Sequence, residues 1–559
     1  MPENNELEIS FKKHYEQLDC SNVMKVPFNM RCDFVMTTTD CQHFGYANYM
    51  NFLECGSGRI SRFQETLACV GLAIIFIYYI SCLAIVADQF YSPALKAMAK
   101  KLHLSEHLAG VTLLAFGNST SDILGNIQNS PIGIIFTYMM SNAILITLIS
   151  GGLVCLLWPT QLPKYETVRT LLFFLLGTMT AEYFYYTQDY FSMLECVGMI
   201  FIYIIYLCIE IIEGYFERAA NSAMVILDTR FRPTATRETV YRRVTISSIG
   251  STDRKERTTI NTNVTRLVDY RVTNPKNEDL FEGFVQAIQP IDPDYWRNSG
   301  YTIRIALIML SPLMFIFLLL IPMVNLGRRR HGWSKLLNCA HIVITPMFMS
   351  IAIMLYKITP LIFYQLCITV PLAIIAFKNS RTDIPPSYHF GFVILGTLGC
   401  ITVQYVCTTE MEEILQVCGM ILGLSRDFIS ATISCWGASI CTIVINVILA
   451  QHGYAAMAIA ASYAGPFFSF IMAIGCLPLY RHIMNTYVTS HCSYYPVAYI
   501  FLMISLSSSL IWCLLFNFYG RRSVGIFNIM IYILYNIYCV LCEMEIIHSY
   551  AEETVIDIV

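Results

Sequence analysis

The stretch AGVTLLAFGNSTSDILGNI, residues 109–127, returns in altered form as ISATISCWGASICTIVINV, residues 429–447. A shift of 320 residues lays Thr112 on Thr432, Gly117 on Gly437, Ser119 on Ser439, Ile123 on Ile443 and Asn126 on Asn446, with Phe116 on Trp436. Five identities in nineteen positions only suggest a duplication, and the order of the surrounding apolar segments strengthens it. The same shift lays 66–88 on 386–408, and the three spans after each motif also correspond. Five helices therefore repeat, and the two copies start on opposite sides of a membrane. Inverted repeats of this kind are a transporter architecture, with the ion site near the bilayer midplane where the repeats meet.

The membrane reading comes from composition. The 559 residues are 56% hydrophobic and only 13% charged, with a mean hydropathy of +0.55, whereas a soluble domain is about 45–50% apolar and about 25% charged. The excess lies in runs of about 20 residues, enough to cross a hydrocarbon core of roughly 30 Å. Such runs fall at 66–88, 108–128, 131–157, 166–186, 190–213, 302–325, 334–355, 360–377, 388–408, 427–450, 454–478, 494–517 and 523–543. The expected fold is an all-α polytopic membrane protein. It has two inverted five-helix repeats and extra membrane segments between them, about 12–13 hydrophobic spans in total. The expected division is an extracytosolic, Cys-containing segment (1–65), a first repeat (66–213), a cytosolic loop (214–300), a linker with extra membrane segments (301–387), a second repeat (388–545) and a C-terminal tail (546–559).

The net charge of −3 gives no sign of a nucleic-acid partner. Most of the 21 cysteines lie inside apolar runs, where free Cys behaves as a small hydrophobe. Cys20, Cys32, Cys41 and Cys55 instead share a polar N-terminal stretch, which suggests disulfides on a non-cytosolic face. Residues 1–60 lack the charged-then-apolar start of a signal peptide and the Arg-rich character of a transit peptide.

Orientation follows the Lys/Arg bias of short loops. Lys96, Lys100 and Lys101, then Lys164 and Arg169, then the loop carrying Arg242, Arg243, Arg254, Lys255 and Arg257 mark one side as cytosolic. Arg521 and Arg522 belong inside, and Glu410, Glu412, Glu413 and the acidic C-terminus outside, if the span at 388–408 starts inside. An even number of the three intervening candidates must then cross. The segment 302–325, broken by Pro312, is the expected non-crossing one; the alternative is that one of the other two is re-entrant.

The repeated helices carry the chemistry. Asn118, Asp122 and Asn126 are spaced i, i+4, i+8 and share a helix face, with Ser119 beside them. In the second copy Ser439, Thr442 and Asn446 share a face, near Thr432. A lone carboxylate deep in an apolar helix is a functional-site candidate by default, which singles out Asp122. Calcium takes about 6–8 oxygen ligands, and hydroxyls, amide oxygens, a carboxylate and freed carbonyls supply that chemistry. Gly117 and Gly437 permit close helix approach or local unwinding. Thr112, Thr432 and Asn446 are equally readable as packing or interhelical hydrogen bonds. Glu182, Glu195 and Asp88, at or near span ends, read as structural or wetted.

The stretch ADQFYSPALKAMAKKLHLSEHLAGVTLLAFGNSTSD, residues 87–122, resembles the first motif of the sodium/calcium exchanger superfamily, in its cation/calcium exchanger branch. CDFVMTTTDC (32–41), NCAHIVITP (338–346) and SYAGPFFSFIMAIG (462–475) resemble other elements of that branch, so the resemblance covers roughly residues 30–545 outside the variable loop. It implies ten core helices and sodium-driven calcium exchange by alternating access. Asn118, Ser119, Asp122, Ser439 and Thr442 would face the transported cation, with Thr112, Thr432, Asn126, Asn446, Gly117 and Gly437 in support. The second motif departs from the family. Where the family reads close to WGNSIGDxxxD, this chain has WGASICTIVIN, with Ala438 for Asn, Cys441 for Gly, Thr442 for the ligand Asp and Asn446 for the later Asp. Ser121 also stands where the branch usually has Pro. One carboxylate of an expected pair is gone, and affinity depends on the ligand charge count.

Two functions stand against each other. One is a secondary active antiporter exchanging sodium for calcium, with Asp122 as the main charged ligand. The other is a degenerate homologue that moves another cation or protons, or is transport-inactive and regulatory. No filter-like motif or charged ring points to a channel, no Gly-rich phosphate loop to an ATP-driven pump, and no recurring nucleophile–base constellation to an enzyme. The expected partners are calcium and sodium ions, as cargo, and the lipid bilayer; no cofactor is expected. The N-terminal cysteines favour the plasma membrane, and the resemblance keeps the mitochondrial inner membrane as the other option.

Overall fold

The computed structural model describes residues 20–38, 41, 46–55, 62–125, 131–188, 191–231, 277, 279–291, 293–325, 329–353, 358–484 and 492–547. In lipid every backbone N–H and C=O must be satisfied within its own segment, so apolar runs of this length fold as helices. In chain order they are α1 (Leu67–Lys101), α2 (Glu106–Ala109, Gly110–Leu114 and Ala115–Gly125), α3 (Ile132–Leu157), α4 (Lys164–Gln188) and α5 (Met193–Phe231). The linker follows with α6 (Tyr301–Leu320), α7 (Lys335–Ile353) and α8 (Ile358–Asn379), then α9 (His389–Ile421), α10 (Arg426–Gln451), α11 (Ala455–Met484), α12 (Tyr495–Leu515) and α13 (Arg522–Glu543). Eleven of them are long and apolar enough to cross a membrane; the more polar α2 and α4 complete the set. Two short strands, β1 (Thr160–Gln161) and β2 (Tyr519–Gly520), pair antiparallel.

The internal repeat extends further upstream than the identities that revealed it. Ser105 caps α2 by accepting the Leu108 N–H at 3.2 Å, and Ser425 caps α10 by accepting the Phe428 N–H at 3.2 Å. His103 and Gly423, two residues before each cap, both have left-handed backbone, at φ 55° and 73°. A π-turn follows each cap, at Gly110–Leu114 and Ile429–Ile433. Thr112 and Thr432 each donate back to the carbonyl four residues earlier, Leu108 and Phe428. The two copies share backbone detail that their sequences barely show.

Packing places the motif helices at a seam. α11 is 94% buried over its apolar stretch and α3 78%, against 6% for α8, so α3 and α11 are central and α8 is peripheral. One apolar cluster unites α3, α4, α5, α11, α12 and α13 through residues such as Phe136, Phe174, Tyr203, Phe467, Leu502 and Tyr535. A second unites α1, α6 and α9 through Phe90, Phe317, Cys400 and Met411. α2 and α10 contribute to both: Val111 and Cys435 to the first, Leu114 and Cys441 to the second.

The N-terminal cysteines form two disulfides, Cys20–Cys41 and Cys32–Cys55. The segment they knit packs on α9 through Val23, Phe34, Met50 and Leu53 against Ile414, Val417 and Met420. Glu410 of α9 accepts the Tyr46 N–H at 2.7 Å and the Tyr49 hydroxyl. Burial, then the hydrogen bond to Glu410, pushes the Tyr49 hydroxyl well above its ordinary range, so it stays a donor.

Three expectations change. Glu410, Glu412 and Glu413 do not lie in a loop after residue 408: α9 continues through them to Ile421, with Glu410 buried and Glu412 and Glu413 half-buried. Pro312 does not break its segment: α6 is continuous from Tyr301 to Leu320, since a neighbouring helix and local adjustment can absorb one lost backbone bond. The stretch expected as a polar loop from 214 begins as helix, α5 running to Phe231, and contains the short helices Leu280–Ile288 and Pro293–Asn298. The basic cluster from Arg242 to Arg257 lies outside the described residues. Glu195 has a local role: it accepts the Ser192 N–H at 2.8 Å while Ser192 accepts the Glu195 N–H at 3.4 Å, a capping box that starts α5. Asp88 pairs with His452 at 2.8 Å, both side chains partly exposed.

Candidate cation site

A π-turn inserts an extra residue into a helix, rotates the face that follows and often marks functional sites. In α2 that rotated face is Ala115–Gly125, and in α10 it is Ser434–Gln451. Each motif glycine then seats the first helix of its own repeat. A Cβ on Gly117 would collide with the Tyr91 hydroxyl of α1, and one on Gly437 would lie 2.7 Å from the Glu412 Cα of α9. The expectation that these glycines permit close approach holds at both positions.

Asp122 is 3% exposed. Its Oδ2 accepts from Asn142 Nδ2 of α3 at 3.0 Å, and Asn142 Oδ1 in turn accepts from Ser439 Oγ of α10. This chain of groups ties the first motif to the second through a residue that belongs to neither. Ser119 Oγ donates to the Gly465 carbonyl of α11 at 2.9 Å, where the absence of a side chain leaves room. One turn beyond Thr442, Asn446 Nδ2 donates to Ser150 Oγ of α3 at 2.9 Å and to Ser462 Oγ of α11 at 3.2 Å. α10 therefore meets α3 at two levels, Ser439 on Asn142 and Asn446 on Ser150.

Of the sequence-selected residues, Asn118, Ser119, Asp122, Ser439, Thr442 and Asn446 are all buried on these two helices. Asp122 and Ser439 meet through Asn142. Thr112 and Thr432 donate their hydroxyls to carbonyls of their own helices. Asn126 lies outside the described residues. Sequence reasoning missed Asn142, Ser150 and Ser462. A signal was present: Asn142 and Ser462 are 320 residues apart, so polar groups recur at one register of the third repeat helix.

The result is a buried set of oxygens from four helices, with one carboxylate among them. No group of three or more His, Cys, Asp or Glu side chains able to hold a metal forms among the described residues. The oxygens gathered here are one carboxylate and several neutral hydroxyls and amides, the kind of ligand that hard cations accept.

Comparison with known proteins agrees with this architecture. The model of the family described as sodium/calcium exchanger protein matches residues 71–212 and 392–541, one segment for each repeat. The chain is 25% identical over 553 residues to the mitochondrial sodium/calcium exchanger protein of Mus musculus, covering 95% of this chain and 91% of that one. It is 26% identical over 493 residues to the protein of the same name from Gallus gallus, covering 83% and 79%. It is 22% identical over 488 residues to cation/calcium exchanger 1 of Arabidopsis thaliana, covering 84% and 77%. With the family model matched over more than half of its length, in two segments that coincide with the structural repeats, this chain belongs to the sodium/calcium exchanger protein family.

Proposed function

We propose that the protein is a secondary active antiporter that exchanges sodium for calcium across a membrane by alternating access. The observation that carries this reading is the hydrogen-bonded series Asp122–Asn142–Ser439, which joins the two repeats at a buried point. Asp122 supplies the charge that draws a cation out of water. Asn118, Ser119, Asn142, Ser439 and Thr442 supply oxygens that replace part of its hydration shell. Asn142 bonds to both motifs, so a change at either repeat reaches the other through one amide. Alternating access then follows if the seam between the two apolar clusters opens first on one side and then on the other.

The disulfides Cys20–Cys41 and Cys32–Cys55 fit a segment that faces an oxidising compartment. The names of the mammalian and avian relatives favour the mitochondrial inner membrane over the plasma membrane.

The test is calcium flux into proteoliposomes containing the purified protein, with and without an opposing sodium gradient, beside Asp122→Asn. The expected result is sodium-dependent flux that falls about 100-fold or more in the variant, since the variant loses a full charge in a poorly hydrated site. A wild-type protein that is folded yet carries no sodium-dependent calcium returns the reading to a degenerate homologue, which the hydroxyl at Thr442 also fits.

A further inference from the structure

We infer that α6 is a re-entrant helix, embedded in the lipid of one leaflet. It enters the membrane from the side on which α7 and α9 begin, ends inside the bilayer under a cap formed by His341 and Thr345 of α7, and returns to the side it came from. The inference holds for any transported ion.

The chain before α6 and the chain after it are bonded to each other. Ser334 Oγ donates to the Gly283 carbonyl at 3.3 Å, and Lys335 Nζ to Asn277 Oδ1 at 2.7 Å. Gly283 therefore lies on the side where α7 begins. Between the helix Leu280–Ile288 and Tyr301 run twelve residues, 289–300, that include Asp292, Asp294 and Arg297. A segment this polar and irregular does not cross hydrocarbon, so α6 begins on that same side. Its first turn is tied there: Arg304 donates from Nε to the Trp296 carbonyl at 3.0 Å and from Nη2 to the Arg297 carbonyl at 3.1 Å.

The far end of α6 lies at mid-depth. The last carbonyls of a helix have no partner within it, and in lipid the protein must supply one. His341 Nε2 donates to the Leu318 carbonyl at 3.0 Å and Thr345 Oγ1 to the Leu320 carbonyl at 2.7 Å. Thr345 is ten residues into α7, about 15 Å along its axis, half of a hydrocarbon core of roughly 30 Å. α9 gives the same depth: Gly399, ten residues from its start, would place a Cβ 3.4 Å from Ile321 Cγ1. The described chain then retraces α9 toward its first residue. Gly396 would place a Cβ 2.8 Å from the Pro322 carbonyl oxygen, and Val324 and Trp333 pack with Phe392 and Val393 and with Ala97 and Met98 of α1, beside Lys96 and Lys100. Irregular backbone is tolerated at membrane depth only where protein covers it, and Ile321, Pro322, Met323 and Val324 are all buried. The rest of α6 fits lipid: its apolar stretch is only 17% buried, and Ile305, Ile308, Met309 and Ile316 are exposed. The motif NCAHIVITP thus acquires a task, since its His and Thr hold the tip of α6 against the helices that lead the two repeats.

The experiment uses the full-length protein in sealed vesicles of one orientation and a membrane-impermeant maleimide, with wild type as the blank for native cysteines. Tyr301→Cys and His331→Cys mark the two ends of the segment, both at exposed positions. Tyr165→Cys and Leu194→Cys, each 83% exposed at opposite ends of α4, mark the two faces of the membrane. Tyr301→Cys and His331→Cys are both expected to label from the Tyr165 face; labelling from opposite faces makes α6 a crossing helix and overturns the inference. His341→Leu and Thr345→Val test the cap by thermal melting. Both should melt below wild type and below Ser350→Ala, which removes a half-buried bond to Gln365 on the same helix. Cap variants as stable as Ser350→Ala would mean that water already serves those carbonyls, which overturns an ending inside the bilayer. Should a cap variant fail to fold, the labelling decides alone.

Discussion

Gly437→Ala tests the contact on which the site is built. Carbon atoms pack at about 3.5–4.0 Å, so a Cβ that falls 2.7 Å from Glu412 Cα forces α9 and α10 about 1 Å apart. The atom it meets is main chain, so no side-chain rotation relieves the clash. Overpacking of this kind costs about 1–3 kcal/mol, set against a helix-propensity gain of up to about 1 kcal/mol for replacing Gly by Ala. Gly71→Ala provides the reference, because a Cβ there meets nothing within 4 Å. It carries the propensity gain alone, and the difference between the two variants, about 1–3 kcal/mol, isolates the packing term. The assay is denaturant unfolding of both purified variants in the same detergent. Gly437→Ala is expected to unfold first, and to bind calcium more weakly because Ser439, two residues on, is displaced. A Gly437→Ala protein as stable as Gly71→Ala would refute the reasoning.

Two further perturbations reach other parts of the molecule. Tyr49→Phe removes a hydroxyl that donates to Glu410 and leaves a buried acceptor short of a partner, and should cost about 1–3 kcal/mol, read as faster protease cleavage of the N-terminal segment at unchanged calcium affinity. Arg169→Met strands Glu210, whose side chain is 2% exposed, and should cost about 3–5 kcal/mol; Arg169→Met with Glu210→Leu should unfold later than the single variant, and a double variant no more stable would show that the pair is not coupled.

The architecture was legible because apolar length and internal similarity are properties of contiguous sequence. Two copies of an N-cap, a π-turn and a glycine contact grew from five identities, and Asp122 stood out because a carboxylate in an apolar helix is too costly to keep without a task. The site was only partly legible, because its connections run between helices. Asn142 is one polar residue in an apolar run, and its importance comes from bonding Asp122 on one side and Ser439 on the other. The extent of α9 was hidden for a different reason. Three glutamates in four positions look like the end of a membrane span, and hydropathy cannot tell an acidic loop from acids that face protein. Pro312 misled in the same way: the local rule marks a helix breaker, while neighbouring helices decide whether the helix continues.

The clamp on Glu410 has an energetic consequence. Were the two repeats identical in sequence and surroundings, the outward-open and inward-open conformers would be related by a two-fold rotation and equal in free energy, and the resting protein would divide evenly between them. The disulfide-knit segment holds Glu410 of α9 by two hydrogen bonds, while on α1 it packs against Leu72 and brings Tyr49 to 3.5 Å from Tyr79. That difference lifts the degeneracy, beside the exchange of Asp122 for Thr442 between the copies. The resting population is weighted toward whichever orientation preserves the grip, and the exchanger acquires a preferred direction of waiting before any ion arrives.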